Sequence, residues 1–153
     1  MLTFKHLLFC TDFSENADFA FDFALDVAAR YPGAMLHVLH VLPEPAAQFW
    51  RSYVNEVDNI DTRMREEIDA RFADYQNRAP AGYPLQATVR FGRPDEQIIA
   101  YAKSAEVDLI ILGRRGHGSF FFGNTAAQVA KSAECPVLVL PMDFKRRASQ
   151  EPQ

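Results

Sequence analysis

Apolar residues form two patterns along this chain: short continuous runs, and longer stretches in which they recur every three or four residues. The segment from Lys5 to Thr11 contains a short apolar run, whereas from Ala17 to Ala28 apolar positions recur every three or four residues. The first pattern is typical of a buried strand, and the second of a helix with one apolar face. The chain therefore opens with a strand and a helix, which Pro32-Gly33 ends.

The same alternation continues to the end of the chain. A long helix is expected from about Ala46 to Arg78, with a break near Asp58-Asn59. At the start of the last helix, Thr125 and Gln128 have the spacing of a capping box. Four further strands and three further helices are predicted, the strands at Ala34–Leu42, Leu85–Phe91, Val107–Leu112 and Val137–Leu140, and the helices up to Arg78, after Gly92-Arg93-Pro94 and from Thr125.

Strands that alternate with helices predict an α/β fold with a parallel sheet. Because these strands are apolar on both faces, helices are needed on both sides of the sheet. We expect an open, twisted, Rossmann-like sheet of five strands in the order 3-2-1-4-5. In that order the first and fourth strands are neighbours, although they are far apart in sequence.

Length and composition fit one soluble domain. The chain has 153 residues, of which 48% are hydrophobic and 24% charged, as in ordinary globular proteins. A net charge of −4 argues against a nucleic-acid partner. No apolar run approaches the roughly 20 residues of a membrane-spanning helix. We expect one domain over residues 1–142 and a polar, frayed tail over residues 143–153.

The two cysteines and the amino terminus suggest a reducing compartment. Cys10 and Cys135 form neither a disulfide framework nor a metal-binding spacing, and their apolar neighbours predict buried thiols. The first residues do not resemble a secretory signal, because the apolar segment is short and Asp12 interrupts it. The expected location is the cytoplasm.

Four of the seven glycines lie within eleven residues, from Gly113 to Gly123, between a predicted strand and a predicted helix. Such a segment can turn backbone N–H groups towards a phosphate, since glycine permits close approach of the backbone. The segment has no lysine at the P-loop position, and Gly116-His117-Gly118 lacks the third glycine of a dinucleotide motif. Two hypotheses remain: an anion site, or glycines used only for turn geometry.

The side chains within this glycine segment leave alternatives open. His117 lies where its imidazole could contact a phosphate, and Arg114 and Arg115 could do the same or be solvated. Phe120–Phe122 is an unusual sequence for a loop. We favour a hydrophobic plug that packs the loop onto the domain, with a partner-binding patch as the alternative.

Asp12 is the second candidate for ligand binding. In open parallel sheets, ligands bind beyond the carboxyl ends of the strands, where the strand order reverses. Asp12 and Gly113 follow the first and fourth predicted strands, so we expect them at neighbouring strand ends. A carboxylate there can accept hydrogen bonds from a ligand. The alternative is that Asp12 only caps the first helix.

Other arrangements that would indicate catalysis or metal binding are weak. His37 and His40 are three residues apart on a predicted strand, which places them on opposite faces and argues against a metal pair. Ser14 has no matched histidine and aspartate, and Ser119 lies in no nucleophile-elbow pattern. We therefore predict a protein that binds a ligand without dedicated catalytic chemistry.

The chain resembles the universal stress protein family from about Phe4 to Pro141. The resemblance depends on five segments in a fixed order, namely Thr11-Asp12-Phe13-Ser14-Glu15, Leu39-His40-Val41, Gly92-Arg93-Pro94, Val107–Gly113 and Cys135–Pro141. Each segment is unspecific alone, but their order and distances are specific.

The resemblance implies an adenosine pocket at Asp12 and Val41. Nucleotide-binding members carry a Gly-(two)-Gly-(nine)-Gly-Ser/Thr pattern. Gly113 and Gly116 match its first two positions, and Gly123-Asn124 match the last two, but only six residues separate Gly116 from Gly123. Asn124 also replaces the hydroxyl residue, with Thr125 one place later. The resemblance therefore supports the adenosine pocket more strongly than the complete triphosphate site.

The function implied is that of a stress-response regulator or sensor that binds an adenine nucleotide (ATP, ADP or AMP, with or without Mg²⁺) and forms a homodimer through the strand Val137–Leu140. One alternative is an interaction module that binds no nucleotide, and another is slow ATP hydrolysis or nucleotidyl transfer. The predicted nucleotide-binding residues are Thr11, Asp12, Val41, Gly113, Arg114, Gly116, His117, Gly118, Gly123, Asn124 and Thr125.

Overall fold

The computed structural model describes residues 2–42, 57–114 and 123–141. In that part of the chain, strands and helices alternate as β1 (His6–Cys10), α1 (Glu15–Ala29), β2 (Met35–Leu42), α2 (Val57–Arg78), β3 (Leu85–Phe91), α3 (Pro94–Ser104), β4 (Leu109–Gly113), α4 (Gly123–Ser132) and β5 (Val137–Leu140). The first part of the predicted long helix and the predicted tail lie outside the described residues, and α2 is helical from Val57 onwards, including Asp58-Asn59.

The five strands form one parallel sheet in the order β3-β2-β1-β4-β5, which confirms the predicted fold class. At its carboxyl end, β1 is paired on both sides: Cys10 lies opposite Leu39 of β2 and opposite Leu112 of β4. The chain leaves β1 and β4 at this same edge of the sheet. The strand order reverses between these two strands, as expected for a ligand-binding edge.

Both faces of the sheet are covered by an apolar core. Phe9 points to one face, where it packs with Phe21 of α1 and Tyr75 of α2. Leu8 points to the other face and packs in a cluster that includes Ile98 of α3 and Val129 of α4. Each of these large apolar side chains stabilises the fold by about 1.5–3 kcal/mol when fully buried. Successive side chains of β1 therefore pack into the apolar clusters on opposite faces of the sheet.

Ser14 caps α1. Its side-chain oxygen accepts a hydrogen bond from the Ala17 amide at 3.2 Å, and it has the extended backbone of an N-cap residue. Asp12 instead accepts from the Ser14 amide at 2.9 Å. The hypothesis that Asp12 only caps the first helix is therefore wrong, because the helix begins two residues too late for Asp12 to serve as its cap.

The last helix begins earlier than the capping pattern predicted. α4 starts at Gly123, so Thr125 lies inside its first turn and cannot be the N-cap residue. Thr125 is buried, and Ala126 beside it packs into the core. The predicted capping box is therefore wrong, since packing of the helix against the sheet overrides the local preference of the sequence.

The two thiols differ in their surroundings. Cys10 is buried at the end of a central strand, where burial raises the pKa of its thiol far above the usual range. Cys135 is only half-buried, because it precedes β5 at the sheet edge. The prediction of a buried thiol is thus confirmed for Cys10 and was too strong for Cys135.

β5 lies at one edge of the sheet, as the strand order predicted. Val137, Leu138 and Val139 are half-buried and Leu140 is buried. In residues 2–42, 57–114 and 123–141, no helix has both the length and the apolar character needed to cross a membrane.

Candidate functional site

The carboxyl edge of the sheet, where β1, β2 and β4 end, holds five of the predicted site residues. Thr11 and Asp12 follow β1 directly, and Val41 is the second-to-last residue of β2. Gly113 ends β4, and the following amide of Arg114 donates a hydrogen bond to the Leu140 carbonyl at 2.8 Å. Asp12 and Gly113 therefore lie at neighbouring strand ends, as predicted.

Thr11 is completely buried, and its polar groups are bonded within the protein. Its amide donates to the Leu39 carbonyl at 2.9 Å, and its carbonyl lies 2.8 Å from Nδ1 of His40. Its hydroxyl lies 2.7 Å from the Tyr75 hydroxyl and accepts from the Phe13 amide at 2.9 Å. Thr11 thus joins β1 to β2, to α2 and to its own loop.

Phe13 turns the chain away from the direction of β1. Its φ of 63° lies in the left-handed region, which is uncommon for a residue with a side chain. The ring packs at 4.4 Å between centroids against His40 and at 5.6 Å against Phe72 of α2. Such strained residues occur often at functional sites. The turn leaves the Asp12 carboxylate half-exposed at the carboxyl edge.

A cavity of about 320 Å³ opens beside Asp12. This volume lies at the lower end of the range for small-molecule sites. The cavity combines apolar side chains with charges of both signs, which suits a ligand with a flat apolar part and polar substituents. Its lining residues are Asp12, Phe13, His40, Leu42, Met64, Glu67, Ile68 and Arg71.

The remaining predicted site residues differ in what they can offer a ligand. Val41 is buried and its side chain packs in the core, so it can meet a ligand at this edge only through its backbone. Thr125 is also buried, whereas Arg114 and Asn124 are exposed. Gly123 begins α4. Gly116, His117 and Gly118 lie outside the described residues, as do Arg115 and Phe120–Phe122.

His37 and His40 lie on opposite faces of the sheet. His40 faces Phe13, whereas Nδ1 of His37 lies 2.8 Å from the Tyr101 hydroxyl of α3. Nε2 of His37 lies 3.2 Å from Nδ1 of His6. Burial, with a smaller effect of His6, lowers the pKa of His37. Within the described residues, no three potential metal ligands come together.

Two residues of the carboxyl edge, His40 and Tyr75, were not predicted as part of the site. The helical spacing of apolar residues indicates only that Tyr75 is an apolar position of the long helix, and the spacing of His37 and His40 argues only against a metal pair. The Leu39-His40-Val41 segment was a signal for His40, because it lies near the carboxyl end of the second strand, at the same edge of the sheet. Nothing in the sequence pattern connects Tyr75 to Thr11, 64 residues away.

The chain has known relatives along almost its full length. The model of the "Universal stress protein family" matches residues 3–141. A curated universal stress protein of Thermus aquaticus is 30% identical over 141 residues, which cover 90% of this chain and 98% of the relative. A solved structure of the universal stress protein UspA from Lactobacillus plantarum is 27% identical, with a TM-score of 0.71, and the match covers 92% and 99% of the two chains.

Two more distant solved structures contain adenine nucleotides. A universal stress protein in complex with cAMP has a TM-score of 0.58 at 22% identity, covering 91% of this chain and 98% of the other. One from Archaeoglobus fulgidus in complex with dAMP has a TM-score of 0.62 at 19% identity, covering 91% and 98%. At these identities the likeness to this chain is one of fold.

Proposed function

Because the chain belongs to the universal stress protein family, we propose that it binds an adenine nucleotide at the carboxyl edge of its sheet. It acts in the cytoplasm as a regulator or sensor of the stress response, without catalytic chemistry of its own. The observation that carries this proposal is the meeting of Asp12 and Gly113 at neighbouring strand ends, where the strand order reverses.

The adenosine part of the ligand fits the Asp12 side of the edge. The Asp12 carboxylate can accept hydrogen bonds from ligand N–H or hydroxyl groups, and the adjoining cavity offers Leu42, Met64 and Ile68 to a flat base. That universal stress proteins of the same fold form complexes with cAMP and dAMP supports the choice of adenine.

The phosphates fit the β4 side of the edge. The backbone amides of Asn124 and Thr125 lie in the first turn of α4, and such amides and the helix dipole favour an anion over a short range. Since the sequence between Gly116 and Gly123 is three residues shorter than the family pattern, about 10 Å of extended chain is missing. We therefore propose that the inner phosphates bind and that the third adds little affinity, with or without Mg²⁺.

Nucleotide release and calorimetry test this proposal. Denaturing the purified protein and analysing the supernatant by mass spectrometry should reveal any adenine nucleotide retained from the cell. Titration with AMP, ADP and ATP, each with and without Mg²⁺, should give binding with less than about tenfold difference between ADP and ATP. ATP that binds a hundredfold tighter than ADP contradicts the inner-phosphate proposal. Absence of all binding favours the interaction module without nucleotide.

We propose further that two copies pair through β5. An apolar edge strand promotes aggregation unless it is covered, and a two-fold contact covers it with one self-complementary patch. Val139→Pro should therefore give monomeric or insoluble protein in sedimentation experiments, whereas Gln86→Lys, at an exposed position of the opposite edge strand β3, should leave the dimer intact. A wild-type chain that sediments as a monomer at about 50 μM overturns the proposed dimer.

A further inference from the structure

We propose that His40 and Tyr75 are positioning residues for the nucleotide site: together they hold Thr11, and thereby the backbone from which the Asp12 carboxylate reaches the ligand. This inference rests on the proposed function, because it assigns the residues that prepare the same site for its nucleotide. It also changes the part expected of Thr11, from a residue that contacts the ligand to one that supports Asp12.

The hydrogen bond of His40 has only one possible direction. The Thr11 carbonyl can only accept, so Nδ1 of His40, 2.8 Å away, must be the donor. Burial lowers the pKa of His40, although this hydrogen bond and the Asp12 charge act in the opposite direction. A neutral imidazole has a single N–H group, and here that group is directed at the backbone of the β1–α1 loop.

The hydroxyl groups of Tyr75 and Thr11 can also be assigned. The Tyr75 hydroxyl donates to the Asp18 carboxylate at 2.9 Å, so its oxygen must accept from Thr11 at 2.7 Å. The Thr11 hydroxyl then donates to Tyr75 and accepts from the Phe13 amide. Burial raises the pKa of Tyr75 well above its usual range, which keeps its proton in place for Asp18.

These assignments leave the backbone on both sides of Asp12 fixed. Before Asp12, Thr11 is held by β2 through His40 and by α2 through Tyr75. After Asp12, the amides of Phe13 and Ser14 are bonded to the Thr11 hydroxyl and the Asp12 carboxylate. A ligand group held in its bound geometry beforehand loses less conformational entropy on binding, which increases affinity. Thr11 itself, wholly buried, uses its hydroxyl within the protein.

Three substitutions separate positioning from direct contact with the ligand. His40→Leu removes the donor to Thr11, while His40→Asn retains an N–H group close to the position of Nδ1. Tyr75→Phe removes the acceptor for the Thr11 hydroxyl and keeps the aromatic packing. His37→Leu is the matched control, because His37 is a buried histidine of the same strand whose bonds to His6 and Tyr101 lie on the other face.

Calorimetric titration with ADP is the first measurement. His40→Leu and Tyr75→Phe should each weaken ADP binding by about three- to tenfold, the effect of one lost hydrogen bond. His40→Asn should stay within about twofold of the wild type, and so should His37→Leu, even if its melting temperature falls. If His40→Asn binds as weakly as His40→Leu, then the imidazole itself contacts the ligand and the positioning role is overturned.

Amide hydrogen exchange of the nucleotide-free protein is the second measurement. In His40→Leu and Tyr75→Phe the amides of Phe13 and Ser14 should exchange faster than in the wild type, while His37→Leu should leave them unchanged. Unaltered exchange in both variants overturns the inference. If the wild type binds ADP and His40→Leu binds it equally well, only this inference fails. If the wild type binds no nucleotide, the proposed function fails and the inference with it.

Discussion

His37 and His40 lie on the same strand, three residues apart, and both are buried, yet they belong to regions with different tasks. At the carboxyl end of β2, His40 bonds to a backbone carbonyl of the loop after β1. Towards the amino end, His37 bonds to the side chains of His6 and Tyr101. A bond to backbone fixes the course of a loop, whereas bonds between side chains join a helix to the sheet.

Two aspartates show the same contrast. At the amino end, Asp108 accepts from the backbone amides of Lys5 and His6, at 2.6 and 2.9 Å, and thereby ties the entry of β1 to that of β4. At the carboxyl end, Asp12 accepts from the Ser14 amide beside a strained Phe13 and a cavity. The amino end thus uses its carboxylate for stability, and the carboxyl end holds one at the proposed ligand site.

The largest effect that separates the two ends is expected for Asp12→Ala. Loss of a charged hydrogen bond should weaken ADP binding by about 1.5–3 kcal/mol, or about tenfold to a hundredfold. Asp12→Asn keeps an acceptor for the Ser14 amide and isolates the effect of charge. Asp108→Ala is the matched control at the amino end, where we expect lower stability with unchanged affinity. Equal ADP affinity in Asp12→Ala and the wild type, measured by calorimetry, contradicts a ligand-binding role for Asp12.

Tyr101→Phe should lower stability through the amino end of the sheet and leave ligand binding at the carboxyl end unchanged. It removes the hydroxyl 2.8 Å from Nδ1 of His37, a buried polar atom, and leaving such an atom without a partner costs about 1–3 kcal/mol. Urea unfolding should show this loss in the free energy of unfolding, and ADP titration should show none in affinity. A substantial change in affinity would mean that the two ends are coupled through β2.

Ser14→Ala sharpens the assignment of the cap at the carboxyl end. Loss of the N-cap oxygen of α1 should lower the free energy of unfolding by about 1 kcal/mol. Thermal unfolding of Ser14→Ala and Asp12→Ala under the same conditions compares the two residues directly. If Ser14→Ala melts at the wild-type temperature, the cap assignment is wrong.

The smallest expected effect is on the pH dependence of stability. Burial lowers the pKa of both His37 and His40 below the value of about 6.5 found in unfolded chains. Below that pH the unfolded state therefore binds more protons than the folded state, and stability falls as the pH falls. Urea unfolding between pH 7.5 and about 5 should show this decline. His37→Leu should make it shallower, and an unchanged slope would exclude a contribution from His37.

The pattern of apolar runs and helical spacing predicted the parallel sheet, and together with the expected strand order 3-2-1-4-5 it predicted the meeting of Asp12 with Gly113. A fully buried strand such as β1 has an apolar pattern set by burial on both faces, and this pattern can be recognised locally. Once five such strands and their helices are placed in order, few topologies remain. The carboxyl ends of β1 and β4, and the residues that follow them, then belong to one edge by necessity.

The tertiary structure alone decided which groups bond across that edge. Thr11 meets Tyr75 over 64 residues, and Ser14 rather than Asp12 caps α1. The capping box predicted at Thr125 was wrong because α4 already begins at Gly123, which leaves Thr125 buried within the first turn. Periodicity along a sequence reports which side of an element is buried. It carries no information on which polar atoms meet, because a hydrogen bond depends on ångström-scale geometry that the packing of distant elements sets.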